Sequence, residues 1–143
     1  MVLHDVSLVL SAGMPESPHH AVCRERLEGL LGSGDTFALS DLVLAAVVRI
    51  ATNPRVWKKP ASAARAFAFV GSLRDHPDAV SIAPGPRHFG LFQKLATAAG
   101  SRGPDTTDAY LAALALEHGC EWWTADAGFA RFPGLRWRNV LVS

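Results

Sequence analysis

No stretch of this sequence reaches the roughly 18 to 20 uninterrupted apolar residues that a membrane span requires, although 49% of its 143 residues are hydrophobic. That apolar content is expected to fill one sizeable core in a single domain spanning residues 1–143, without membrane association. The N-terminus lacks the basic, apolar and small-residue succession of a signal peptide, so the expected location is the cytoplasm. Cysteine is scarce. Cys23 and Cys120 have neither metal-type nor redox-type spacing, which excludes a disulfide framework and leaves two buried thiols of a reducing compartment. The histidines form no HExxH or comparable ligand pair, which argues against zinc. GxGxxG and P-loop spacings are absent as well, and so are internal repeats, low-complexity tracts and linkers.

Acidic residues are missing from one long segment. The net charge of +1 conceals a stretch from Leu42 to Arg74 with no acid and six bases: Arg49, Arg55, Lys58, Lys59, Arg65 and Arg74. The later "RFPGLRWR" adds Arg131, Arg136 and Arg138, interleaved with Phe132 and Trp137. Cations mixed with aromatics suit a polyanion with stackable bases. The same pattern also fits a solvated helix face with Trp137 in the core.

What is present alternates. "MVLHDVSLVL" opens with an apolar run that reads as a buried strand ending near Asp5. "SPHHAVCRERLEGLLGSG" reads as a helix with a glycine stop, "TFALS" as a second strand, and "SDLVLAAVVRIATN" as a helix that halts before Pro54. A helix in "PASAARAFAFVGSLRDHP", a strand in "AVSIA" and a helix in "GPRHFGLFQKLATAAGSRG" follow. The chain then runs through the helix "DTTDAYLAALALEHG", a strand in "CEWWTA", a short helical turn in "GFARF" and a last strand in "RWRNVLVS". Strands alternating with helices predict an α/β fold. The expected form is a three-layer α/β/α sandwich with a central, mainly parallel sheet of four to five strands, because parallel pairing requires crossovers.

In such sheets ligands bind at the carboxyl ends of the strands, and four acids are expected there. Asp5 ends the first strand, Asp41 follows the second, Asp108 lies in the first turn of the late helix, and Asp126 follows the strand containing Trp122 and Trp123. Asp41, Asp105 and Asp108 could each serve as caps or complements to a helix dipole, and Asp126 as a turn residue. Asp5 is harder to explain that way, since it interrupts an apolar run and an unpaired buried carboxylate is expensive. Two carboxylates about 5 Å apart repel by roughly 3 kcal/mol at an effective dielectric near 20, so convergence demands a positive charge. No Lys or Arg adjoins any of the four in sequence, which points to a hard divalent ion, Mg²⁺ with Mn²⁺ as a substitute. Such an ion lowers the pKa of bound water and stabilises charge on a phosphoryl group.

Four segments together resemble the PIN-domain proteins, and within them the VapC-type toxins of type II toxin–antitoxin pairs: "HDVSLVLSAGMPESPHH", "LSDLVLAAVVRIATNPRVW", "TTDAYLAALALEHG" and "TADAGFARFPGLRW". The resemblance runs nearly end to end. It implies a Mg²⁺- or Mn²⁺-dependent endoribonuclease, a VapB-type antitoxin that masks the site, and a homodimer. Asp5, Asp41, Asp108 and Asp126 are the acids that match as catalytic metal ligands. Three positions depart from the family pattern: Ser7 stands where many relatives carry Asn, Ala46 where many carry Glu, and Gly128 where others carry a further Asp. The implied mechanism is in-line attack of water on an RNA phosphodiester, leaving a 5′-phosphate, with the basic segments holding the strand and Trp57 or Trp137 stacking a base.

The departures carry an alternative, a catalytically degenerate PIN fold that binds RNA or a partner without cutting. A receiver-like signalling domain would require a lysine after a late strand, where this chain has Asp126. His4 is read as a core residue and not as a general base, because neighbouring strand residues point to opposite faces. Thr124 is read either as a contact to the metal site or as a plain strand-end hydroxyl.

Overall fold

The computed structural model describes residues 1–142. Strand β1 (Val2–His4) runs into helices α1 (Val6–Gly13) and α2 (His20–Leu31); β2 (Phe37–Leu39) is followed by α3 (Asp41–Ala51) and α4 (Ala63–Arg74). Strand β3 (Ala79–Ser81) leads to α5 (His88–Ala99) and α6 (Asp105–Glu117); β4 (Glu121–Thr124), a 3₁₀ turn (Ala127–Arg131) and β5 (Trp137–Asn139) complete the order. The five strands form one all-parallel sheet in the order β3-β2-β1-β4-β5. The sandwich expected from the sequence is thus present, at the upper end of the expected strand number.

The topology dictates the layers. From β1 the chain steps outward through β2 to β3, then returns past β1 to start β4 on its other side. Right-handed crossovers place helices on opposite faces when the direction of travel reverses. Accordingly α1 packs on α2 and α3, and α3 on α4, while α5 and α6 pack on each other. The reversal puts the switch point between β1 and β4, where open α/β sheets form their ligand crevice.

Helix α1 was not expected. The sequence reading ends the first strand near Asp5 and assigns no element to the residues after it; Asp5 accepts a hydrogen bond from the Val6 amide at 2.7 Å and starts a helix at once. Because Leu8, Val9, Ser11 and Ala12 are all buried, the helical period is masked by apolar residues around the cylinder. The other departures are at boundaries. Helix α4 begins at Ala63, capped by the Ser62 hydroxyl, three residues after Pro60, and the last strand is confined to Trp137–Asn139, the final residue of that stretch, Ser143, lying outside the described residues.

Helix α6 is the central core element: Ala109, Leu111, Ala112, Ala113, Leu114 and Ala115 are buried against α5 and the sheet. Its exposed residues, Asp105 and Thr107, lie in the first turn, with Asp108 half-buried beside them, which is how a helix built for burial can begin with two acids. Cys23 and Cys120 are free and buried. No helix among the described residues is long and apolar enough to cross a membrane. Leu114 is 0% exposed, so Leu114→Ala is expected to lower stability by about 2–5 kcal/mol, measured by urea denaturation. Phe89→Ala, at a side chain 72% exposed, should change it by less than about 1 kcal/mol.

Candidate metal centre

The last rung of the β1–β4 ladder is the hydrogen bond from the Asp5 amide to the Trp123 carbonyl, 2.9 Å. It brings Asp5 alongside Thr124 at the carboxyl edge of the switch point. The Thr124 hydroxyl donates to Asp5 Oδ2 at 2.6 Å and accepts from the Asp126 amide at 2.9 Å. Ser7 donates to the same Asp5 oxygen at 3.1 Å, and its oxygen accepts from the Ala125 amide at 3.1 Å. Thr124 is therefore a contact of the acidic site, and Ser7 reaches Asp5 directly.

Asp5 is 6% exposed, and among the described residues no cation forms an ion pair with it. Burial pushes its carboxyl from the ordinary 3.8 up to about 6; hydrogen bonds from Thr124, Ser7 and Val6 pull the other way, and the charge of Asp108 adds to the rise. Asp108, on the first turn of α6, is raised as well, first by burial and further by Asp126 and Asp105, while Arg131 opposes the shift. Asp126 stands two residues past Thr124 and accepts from the Gly128 amide at 2.9 Å, so it also caps the 3₁₀ turn. Asp5, Asp108 and Asp126 are thereby linked in one electrostatic cluster drawn from three distant segments.

Asp41 is not part of that cluster. Its carboxylate is 68% exposed and forks with Arg74 of α4, at 3.0 Å to Nε and 3.2 Å to Nη2. Asp41 opens α3, next to β2, and Arg74 of α4 engages both of its carboxylate oxygens. Arg74 holds its carboxyl below the usual range. Ala46 on α3 supplies no ligand in its place.

The positive charge among the acids is Arg131. Its Nη2 lies 2.8 Å from Asp108 Oδ2 and 3.8 Å from Asp105 Oδ1, while Nη1 donates to the Gly128 carbonyl. Adjacency in sequence could not reveal it, because Arg131 is 23 residues from Asp108. The nearest signal was its place in "DAGFAR", where one 3₁₀ turn folds the side chain back over Gly128.

The donor set fits a hard divalent ion. Asp5, Asp108 and Asp126 offer carboxylate oxygens only, and among the described residues no basic side chain offsets the buried charge of Asp5. Among the described residues no three His, Cys, Asp or Glu side chains converge closely enough to form a complete cage. Mg²⁺ does not need one, since it binds through one or two carboxylates and keeps several waters.

The remaining candidates have structural places. His4 is buried between Phe37 and Trp123, with neither ring nitrogen hydrogen-bonded, and burial pushes its imidazole down to about 4. It is a neutral core residue. The Trp57 indole donates to the Ile50 carbonyl at 2.9 Å, and Trp137 packs on the core, so both rings are partly committed. Arg49, Arg55, Lys58, Lys59 and Arg65 are exposed and make no ion pair among the described residues. Lys59 and Arg65 border a cavity of about 350 Å³ at the C-terminal end of α1. Eight helical residues, about 12 Å at 1.5 Å per residue, separate that end from Asp5.

Comparison with known proteins gives this geometry a lineage. The PIN domain pattern matches residues 3–135. Ribonuclease VapC43 of Mycobacterium tuberculosis (strain H37Rv) is 40% identical over 141 residues, covering 99% of this chain and 96% of the relative. Ribonuclease VapC25 of the same strain is 38% identical over 136 residues, covering 95% and 96%. The fold matches VapBC2 from Rickettsia felis bound to a promoter DNA fragment, with TM-score 0.69, 17% identity and coverage of 96% and 98%. It also matches M. tuberculosis VapC20, described as a sarcin-ricin loop cleaving toxin, with TM-score 0.67, 14% identity and coverage of 95% and 99%. With a PIN pattern over nearly its whole length and relatives at this identity, the chain belongs to the PIN-domain family and, within it, to the VapC ribonucleases.

Proposed function

We propose that this protein is a Mg²⁺- or Mn²⁺-dependent endoribonuclease, the toxin of a VapBC-type pair, acting in the cytoplasm as a homodimer restrained by a VapB-type antitoxin. The observation that carries the metal assignment is the buried Asp5 carboxylate, pushed up to about 6 with no side-chain cation at hand and with Asp108 and Asp126 as its acidic company. A Mg²⁺ or Mn²⁺ ion bound there supplies positive charge and Lewis acidity for hydrolysis of a phosphodiester. Asp5, Asp108 and Asp126 would hold it, with waters completing its shell.

The chain's own groups do the rest. Thr124 and Ser7 fix the Asp5 carboxylate through Oδ2 and leave Oδ1 to the Val6 amide, so the ligand is oriented before any ion arrives. Thr124 also ties the Asp126 backbone to the same hydroxyl, which keeps the two acids in register. The exposed bases Arg49, Arg55, Lys58, Lys59 and Arg65 provide phosphate contacts for RNA extending beyond the acidic edge. Asp41 serves the α3–α4 pairing through Arg74 in this reading and is not a ligand.

A second reading, a PIN fold that binds without cutting, is favoured by one observation: Arg131 already engages Asp108. Metal uptake separates the two. Absence of Mn²⁺ binding by calorimetry, together with absence of cleavage, would support the non-cutting fold.

Asp5→Asn and Asp108→Asn are each expected to slow RNA cleavage at least about 100-fold, while Asp41→Asn stays within about threefold of the parent. Sequencing of 5′-monophosphate ends after induced expression, with Asp108→Asn as the reference, tests this; equal cleavage by the Asn proteins sinks the mechanism. EDTA should abolish cleavage, and added Mn²⁺ should restore it.

The same carboxylate predicts a stability effect. A folded-state value of about 6 against an ordinary 3.8 means that folding favours protonated Asp5. Stability from this group is complete below 3.8 and is lost as pH rises to about 6. The difference converts to about 3 kcal/mol. In EDTA, Asp5→Asn should therefore be more stable than the parent at pH 7.5 and equal to it near pH 3.5, read from thermal melts at both values.

A further inference from the structure

Arg131 is held more tightly than a surface base needs to be. Its side chain is 29% exposed, its guanidinium carbon lies 4.6 Å from the Phe132 ring centre and 5.9 Å from that of Phe129, and it bonds to Asp108 at 2.8 Å with Asp105 at 3.8 Å. Ring faces on one side and carboxylates on the other give the cation a built seat. The seat depends on Gly128. A Cβ there would come within 2.5 Å of Arg131 Nη1 and 3.2 Å of Asp126 Oδ1, so any larger residue would force Nη1 to shift.

We propose that Arg131 is a resident cation which competes with the divalent ion for Asp108, so that metal entry requires the guanidinium to give up that carboxylate. The Asp108 oxygen nearest Arg131 is taken at 2.8 Å, and an oxygen fully engaged by a guanidinium is a poorer donor to an ion. Asp5, which lies beyond the reach of Arg131's ion pairs, remains the permanent anchor, and Asp108 is the carboxylate that changes hands. Arg131 thus acts on the metal as a positioning residue, by controlling when Asp108 is free. The released guanidinium stays beside the acidic edge, where an RNA phosphate is its next partner. This inference rests on Asp5, Asp108 and Asp126 being the metal centre.

The test is Mn²⁺ binding to metal-free protein by calorimetry, comparing the parent with Arg131→Gln, Arg131→Lys and Gly128→Ala, with thermal melts in EDTA and in Mn²⁺. Arg131→Gln removes the competitor. It should bind Mn²⁺ about tenfold more tightly, melt lower in EDTA, and show a larger melting-temperature gain on adding Mn²⁺. Arg131→Lys keeps the charge and should stay close to the parent. Gly128→Ala displaces Nη1 without removing charge and should tighten Mn²⁺ binding in the same direction, which keeps the test decisive if Arg131→Gln does not fold. Unchanged or weaker Mn²⁺ binding by Arg131→Gln, or by Gly128→Ala where the former does not fold, overturns the inference. If the parent binds Mn²⁺ and cuts RNA while the variants match it, only this inference fails. If neither the parent nor any variant takes up Mn²⁺, the metal-centre reading fails with it.

Discussion

The parallel pairing of β1 with β4 is the constraint on which the site depends. Asp5 and Thr124 are 119 residues apart, and only that ladder puts them on one edge. Its final rung, from the Asp5 amide to the Trp123 carbonyl, sets where β1 stops and α1 starts. Asp126 is then placed by two further residues of chain, and Asp108 by α6, which is the element that leads into β4. Trp122 is buried against Phe129, ring centres 5.1 Å apart, so the same strand also fixes the 3₁₀ turn that presents Arg131. A shift of β4 by one residue would exchange Trp122 for Trp123 in the core and separate Thr124 from Asp5.

That placement conflicts with stability, and the residues around Asp5 show how the conflict is contained. Three hydrogen-bond donors partly offset the burial of its charge, yet the carboxyl remains well above its ordinary value. Among the described residues no cation pairs with it. Asp108 faces less burial and has Arg131. The two acids therefore differ in kind: one is kept under electrostatic stress in a well-ordered pocket, and the other is satisfied by a partner that can be exchanged. Active-site groups are where such local cost is expected, the rest of the core having to offset it. The nearly all-apolar body of α6 provides that offset directly behind the acids.

The sandwich was legible because alternating strands and helices allow few arrangements, and because glycine and proline punctuate this chain at nearly every helix end. Asp5, Asp108 and Asp126 were legible as acids at strand or helix boundaries. Three features were not. Helix α1 was hidden because residues apolar on all sides erase both periodicities. The pairing of Asp41 with Arg74 was not legible, because a position after a strand says which edge a side chain reaches, but not which neighbour it meets; Arg74 comes 33 residues later. Arg131 was read as part of an RNA-holding tail, since its charge is visible in the sequence and its fold-back over Gly128 is not.

The three departures from the family pattern have different consequences in three dimensions. Ala46 removes a donor from α3 and nothing replaces it. Ser7, though shorter than Asn, is not idle: its hydroxyl joins Asp5 to the Ala125 amide and lies 3.3 Å from the Thr124 hydroxyl, stitching the start of α1 to the end of β4. Gly128 matters through the space it leaves. An acid at that position would add negative charge beside Asp126 and at the same time displace Arg131 Nη1 from where it now lies. Glycine therefore omits an anion and leaves room for Nη1 beside the acids. Fewer carboxylates then need neutralising by ions, because a protein cation already stands among them.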